Sequence, residues 1–199
     1  MASAIRPYEP TDLDALYEIC LRTGAAGQDA TAMVDDAALF GELWAAPYGV
    51  LEPEHALVLA DDHDTVVGYA LGALDTCAFE ARCATEWWPS AQARHPVSAG
   101  GRRLDDFLIA MIHEPLAADD TTVARYPSHL HIDLLPEAQG AGWGRRMMDA
   151  LFGRLAEDGS TGVHWGVSRA NESALGFYRH LGATPIAEDP MTHRFGWPL

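Results

Sequence analysis

The sequence predicts an α/β protein of the α+β type, and three observations carry that prediction. Residues 55–74, HALVLADDHDTVVGYALGAL, read as two β-rich runs joined by an Asp-rich turn at Asp61 to Asp64, the pattern of an antiparallel hairpin. Residues 128–135, SHLHIDLL, alternate strictly between polar and apolar side chains, as a strand with two unlike faces does. After it come a glycine-rich loop, a helix, a strand and a further helix, a βαβα unit that ends at Gly182.

In chain order, Ala4 to Tyr8 is expected as a short edge strand. Thr11 is read as the cap of a helix carrying Leu13, Leu16, Tyr17 and Cys20 on one face, with Asp12 and Asp14 in its first turn. A second helical stretch is expected from Asp29 to Trp44, and the hairpin follows it. Asp75 to Tyr126 contains EWWPSAQARHP, a Gly-Gly pair at Gly100 and an apolar helical segment from Leu104 to Met111. With so many breakers it reads as a helical excursion, since about 50 residues bury too little surface to form a core of their own. The strand at 128–135 places His129, His131 and Asp133 on one face and Leu130, Ile132 and Leu134 on the other. The helix after the glycine loop carries an apolar stripe of Trp143, Met147, Met148, Leu151, Phe152 and Leu155, and it is expected to end near Asp158 and Gly159. Residues 161–167 read as another strand, and Asn171 as the cap of a helix with Leu175, Phe177, Tyr178 and Leu181.

Composition narrows the functional classes. The 199 residues, 48% of them hydrophobic, suffice for one sizeable core, so a single domain over 1–199 is expected. No apolar run reaches the ~18 residues that span a bilayer, and the amino terminus lacks a secretory layout, which predicts a cytoplasmic protein without a membrane partner. Cys20, Cys77 and Cys83 show no CxxC spacing and read as buried thiols. The net charge of −16 disfavours nucleic acid and favours a cationic small molecule or peptide. Every basic side chain is arginine, so phosphate-loop and Schiff-base lysines are excluded.

The loop QGAGWGRR, residues 139–146, is the most informative stretch. It fits the dinucleotide pattern G-x-G-x-x-G in neither register, because Arg145 or Met147 stands where the third glycine should. Glycines there let backbone amides approach an anion at a helix amino terminus, where the unpaired N–H groups and the dipole favour negative charge. Arg145 and Arg146 in the first turn oppose that dipole by up to about 1 kcal/mol, a cost that an anionic ligand such as a pyrophosphate would reverse. An exposed Gly-rich turn accounts for the loop equally well by itself.

Q-x-x-G-x-G (Gln139, Gly142, Gly144) after a strand ending in Leu-Leu-Pro-Glu, followed by a strand and a helix with Asn171 and Tyr178, resembles the GNAT family of acyl-CoA-dependent N-acetyltransferases. The resemblance is strong over 128–183 and looser over 1–74. With VVGYALGALD, EWWP and YPSHLHIDL, the whole chain resembles the branch formed by the acetyltransferase-like carboxy-terminal domain of O-GlcNAcase and its free-standing bacterial relatives. Some members of that branch have lost the glycine loop, which this chain keeps. The resemblance implies a central mixed, mostly antiparallel sheet flanked by helices, with residues 75–127 inserted between the third and fourth strands as a candidate lid over the acceptor site. It also implies acetyl-CoA as co-substrate, held by Leu134, Leu135, Gln139, Gly140, Ala141, Gly142, Trp143, Gly144, Arg145, Asn171 and Tyr178. Asn171 can equally be a plain helix cap, and Tyr178 a core residue.

Amine acetylation by direct attack in a ternary complex needs a proton acceptor for the ammonium, a donor to the oxyanion and a proton donor to the departing thiolate (thiol pKa about 8.5). The amide near Leu134 is read as the oxyanion contact and the Tyr178 phenol as the thiolate donor. Asp133 is the first choice of base, with His131 or His129 as a relay. His129, Trp87 and Trp88 are candidates for the acceptor groove. Two rival readings stand beside this one: a domain that binds acetyl-CoA or a peptide without turnover, and a metal-dependent hydrolase using His129, His131 and Asp133. The second lacks the next histidine, since Leu134 stands there, and no metal is expected.

Overall fold

The computed structural model describes residues 3–97 and 103–199; the Gly-Gly breaker at Gly100 lies outside the described residues. One seven-stranded sheet runs through the chain in the order β1-β2-β3-β4-β5-β7-β6. Its strands are β1 (Ala4–Pro7), β2 (Ala56–Ala60), β3 (Val66–Ala73), β4 (Ser128–Leu134), β5 (Gly162–Ser168), β6 (Thr184–Glu188) and β7 (Thr192–Pro198). Only β4 and β5 run parallel; the other neighbours are antiparallel. The helices are α1 (Leu13–Thr23), α2 (Leu39–Trp44), α3 (Ala46–Leu51), α4 (Thr76–Arg82), α5 (Trp88–Arg94), α6 (Arg103–His113), α7 (Asp120–Arg125), α8 (Trp143–Glu157) and α9 (Glu172–Leu181). Among the described residues, no helix is long and apolar enough to cross a membrane.

Helices cover both faces of the centre of the sheet. Leu151 of α8 packs where a Cβ on Gly72 of β3 would stand, while Tyr69, one face over on the same strand, reaches Cys20 of α1. All five residues of β2 are therefore buried, as a strand covered on both sides requires. The α8 stripe is buried as expected at Met147, Met148, Leu151, Phe152 and Leu155, and Gly159 at φ +96° follows its end. The Asp61–Asp64 turn joins β2 to β3 as expected.

Several local expectations are corrected. Thr11 does not cap α1: it lies in a 3-10 turn, Pro10–Asp12, whose Asp12 carboxylate accepts the Glu9 amide at 2.8 Å. Proline at the first helical position draws the start of the turn upstream. The stretch from Asp29 to Trp44 is helical only at Thr31–Met33 and in α2. Asp29 and Asp36 accept the amides of Thr31 and Ala38, local bonds that compete with helix. The amides of Asp35 and Asp36 are also taken, at 3.0 and 2.9 Å, by the carboxylate of Asp105 in α6, a partner that no local pattern announces. β6 and β7 extend the sheet beyond the predicted unit. Cys77 is exposed, whereas Cys20 and Cys83 are buried.

The insertion between β3 and β4 is helical, as the sequence predicts, and it is pinned to α2. Arg94 grips the buried Glu42 carboxylate at 2.9 and 2.8 Å, and the Trp87 indole N–H donates to the Glu42 carbonyl at 3.0 Å.

A second tie crosses the other end of the core. His55, 2% exposed, places Nδ1 at 2.9 Å from Glu52 and Nε2 at 2.9 Å from Asp158, just past α8. A neutral imidazole donates through one nitrogen only, so both contacts are satisfied by the imidazolium. The bond to Glu52 raises the His55 pKa, burial opposes it, and Asp158 and Glu54 add to the rise. A raised pKa stabilises the fold fully below the unfolded value near 6.5, and that stabilisation is lost as pH climbs through the folded value. Hydrogen bonds to charged groups contribute about 1.5–3 kcal/mol, less here because Asp158 is half exposed, so His55→Gln is expected to cost about 1–2 kcal/mol at pH 6 and little at pH 9. Thermal unfolding at the two pH values checks this, and an equal loss at both would contradict it.

Candidate active site

The site begins where two strands part. β4 pairs with β3 from Ala73↔His129 to Gly68↔Leu134, yet with β5 only at Ser128↔Val163 and His129↔His164. β5 follows β7 along its whole length instead. From His131 onward the far edge of β4 is therefore unpaired with β5 and opens a wedge in the sheet. The Leu135 amide donates to Val67 at 2.9 Å, so the alternation of the ladder turns the amide and carbonyl of Leu134 toward the wedge. The Gln139 side-chain amide already donates to that carbonyl at 2.8 Å. The amide of Leu134 points into the wedge, away from β3.

The glycine loop stands at the outer end of the wedge. Gly140 and Gly142 adopt φ of +80° and +78°, the left-handed region that glycine enters at no cost, and a Cβ on either would meet nothing within 4 Å. Both are thus required by the turn and both face open space. The first backbone bond at the head of α8 runs from Arg146 to Gly142 at 3.2 Å, so the amides of Trp143, Gly144 and Arg145 lie ahead of it with no helical carbonyl to meet. Gly144 is small for another reason: its Cβ would lie 3.3 Å from the Phe177 ring of α9. Arg145 pairs with Asp149 at 2.8 Å, and the Arg146 guanidinium sits 4.7 Å above the Trp143 ring. These contacts offset part of the cost of cations at a helix head.

A polar cluster lies across β3, β4 and α1. The fully buried Tyr69 donates its phenol to Asp133 at 2.7 Å, with His131 Nδ1 at 3.2 Å from the same oxygen. His131 Nε2 is 3.6 Å from Asp133. Burial pushes the Asp133 carboxyl above its ordinary value, against the pull of His131, Tyr69 and Thr23. Burial likewise lowers His131, against the Asp133 charge, so both groups are displaced toward their uncharged forms. Tyr178 packs its ring on Trp165 and Phe195, at 5.2 and 5.6 Å, and is itself 6% exposed. Burial, then the Asp133 charge, raises its phenol, which keeps the proton on oxygen. Among the described residues its hydroxyl has no hydrogen-bond partner. Asn171 caps α9, accepting the Ala174 amide at 3.0 Å, and its side-chain nitrogen comes within 2.9 Å of where a Gly27 Cβ would stand.

His129 does not join the cluster. It accepts or donates at Thr76 at 2.9 Å, packs against Tyr48 and Phe79, and is pushed down to about 3 by burial and then by His164 and His131. The rival metal reading of His129, His131 and Asp133 fails on its ligand set: among the described residues the donors that converge with His131 and Asp133 include Cys20 and not His129. Period-two alternation places a residue on a face and does not say how far along it neighbours reach. Trp87 is 8% exposed and is spent on the contact with α2, while Trp88 packs half-buried against the core. Trp87 therefore does not line an open groove. Sequence reading missed Tyr69, Thr23 and Cys20; the alternation of β3 places Tyr69 on the face opposite its glycines, the one local signal available.

The model described as the acetyltransferase (GNAT) family matches residues 14–183. Protein O-GlcNAcase of Rattus norvegicus and that of Mus musculus are each 28% identical over 192 residues, covering 92% of this chain. The chain spans 20% of the length of these curated relatives. Among solved structures, SsHAT is 39% identical with a TM-score of 0.92, covering 100% of this chain and 98% of that one. A GNAT superfamily phosphinothricin acetyltransferase from Sinorhizobium meliloti, in complex with AcCoA, shares the fold at a TM-score of 0.60 and 18% identity, covering 100% of this chain and 89% of that one.

Proposed function

Because the chain belongs to the GNAT family of acetyltransferases, we propose that it is an acetyl-CoA-dependent N-acetyltransferase acting on a cationic amine by direct attack in a ternary complex. The observation that carries this reading is the parting of β4 from β5, with the glycine loop at one end of the gap and the Tyr69–Asp133–His131 cluster beside Tyr178. The residues present fit the co-substrate. Amides from Gly140 to Arg145 would hold the pyrophosphate, where left-handed glycines leave open space. Leu134 and Asn171 would take the pantetheine arm; Leu135, expected from the sequence to join them, is buried with its amide spent on Val67 and faces β3 instead. Acetyl-CoA supplies an activated thioester, and the protein supplies orientation and proton management.

In this reading Asp133, oriented by Tyr69 and coupled to His131, accepts the proton that the ammonium must lose. Its raised pKa makes it a stronger base than a solvated carboxylate. As the C–N bond forms, the amide of Leu134 donates to the oxygen that gains charge. As the C–S bond breaks, the hydroxyl of Tyr178 donates its proton to the departing sulfur. The net charge of −16 favours a cationic acceptor, a small metabolite or a peptide. The described part of the 75–127 insertion, pinned through Glu42, is proposed as a wall of a single domain and not as a mobile lid.

Calorimetric titration with acetyl-CoA, against desulfo-CoA and a dinucleotide, is the test. Saturable binding specific to the CoA moiety is expected, followed by thiol release with cationic amines. Absence of binding at millimolar ligand would overturn the proposal, while binding without turnover would favour a catalytically silent domain.

A further inference from the structure

Three donors of different chemistry meet between α1 and β4. Sγ of Cys20, a ring nitrogen of His131 and a carboxylate oxygen of Asp133 lie within 4.8 Å of one another. They come from separate elements, α1 and β4, and one of them is a thiol. Thiolate, imidazole and carboxylate together suit zinc, whose tetrahedral bonds of about 2.0–2.3 Å place donors about 3.5 Å apart. Closing the remaining ångström falls to small rotations of His131 and Asp133, whose side chains are 30% and 23% exposed and each bonded to Tyr69. Their exposure also provides the path of entry, since Cys20 itself is 2% exposed behind them. The thiol donates to the Phe40 carbonyl at 3.4 Å, a weak bond, and also meets the Tyr69 hydroxyl that lies against His131 and Asp133. Tyr69, bonded to both His131 and Asp133, is already placed as the outer partner that orients metal ligands.

We infer that Cys20, His131 and Asp133 form a three-ligand site for a zinc-type divalent cation, with a fourth position open to water from the cleft. Binding exchanges the thiol proton of Cys20 for the metal: one S–metal bond forms, one S–H bond breaks, and the proton leaves to solvent. The negative charge of the protein draws cations toward it. Metal uptake is independent of the acyl-transfer reading. Its consequence rests on that reading: a cation on Asp133 and His131 occupies the groups proposed to deprotonate the acceptor, so zinc inhibits transfer.

The test is a Co²⁺ titration of chelator-stripped full-length protein, without acetyl-CoA and in thiol-free buffer. Thiolate-to-cobalt charge-transfer absorption is expected to saturate at one equivalent, to be displaced by Zn²⁺, to vanish in Cys20→Ser and to persist in Cys77→Ser. His131→Gln is expected to weaken cobalt binding about tenfold or more, given that even outer partners are worth about that much. The inference is overturned by absence of the band in the parent, by its persistence in Cys20→Ser or by its loss in Cys77→Ser. Should Cys20→Ser fail to fold, unchanged cobalt affinity in His131→Gln overturns it as well. Because no acetyl-CoA is present, failure here leaves the proposed function standing, and failure of turnover leaves the metal site standing.

Discussion

Gly142→Asp is expected to weaken acetyl-CoA binding by about 100-fold or more, equivalent to about 3 kcal/mol. Two effects add. Gly142 sits at φ +78°, where a side chain costs about 1–2 kcal/mol, although Asn and Asp tolerate this conformation better than other residues. The new carboxylate would also stand in the open space against which the pyrophosphate is proposed to lie, since nothing else approaches within 4 Å. Gly142→Asn separates the two, having nearly the same shape and backbone cost without the charge. Calorimetry should find the Asn variant within about tenfold of the parent and the Asp variant far weaker. Equal affinities for the two would remove the anion from the glycine loop.

Tyr178→Phe is expected to lower kcat by about 10² to 10⁴, the usual contribution of a positioned proton donor, while acetyl-CoA affinity stays near that of the parent. The structure makes this substitution informative. The ring is locked among Trp165, Phe177 and Phe195, and phenylalanine keeps those contacts. The hydroxyl has no hydrogen-bond partner among the described residues, so its loss should leave thermal stability nearly unchanged. Slow turnover in a variant of unaltered melting temperature would assign the effect to chemistry. Unchanged turnover would return Tyr178 to the core.

Within the candidate site, the glycine loop and the two faces of β4 were legible because each rests on local physics. Left-handed turns demand glycine, and period two assigns faces. The caps at Asn171 and Gly182 were legible on the same grounds, and the structure realises both. The start of α1 and the break in the Asp29–Trp44 stretch were not. Their deciding bonds run from Asp12 back to Glu9, and from Asp105 across the fold to the amides of Asp35 and Asp36. β6, exposed along most of its length and interrupted by Pro185, has too little apolar alternation to announce itself.

The sequence alone determined the β2–β3 hairpin, the run from β4 through the glycine loop, α8 and β5 to α9, the absence of lysine chemistry and the placement of His131 and Asp133 on one strand face, because each follows from side-chain type and spacing along a single element. Only the tertiary structure decided which of those side chains meet. It set His129 among Tyr48 and Phe79, buried Trp87 against α2, and brought Cys20 and Tyr69 beside Asp133. It also parted β4 from β5 after a two-residue match. Such contacts join elements distant in sequence, and their partners are chosen by packing across the sheet, which no local pattern records.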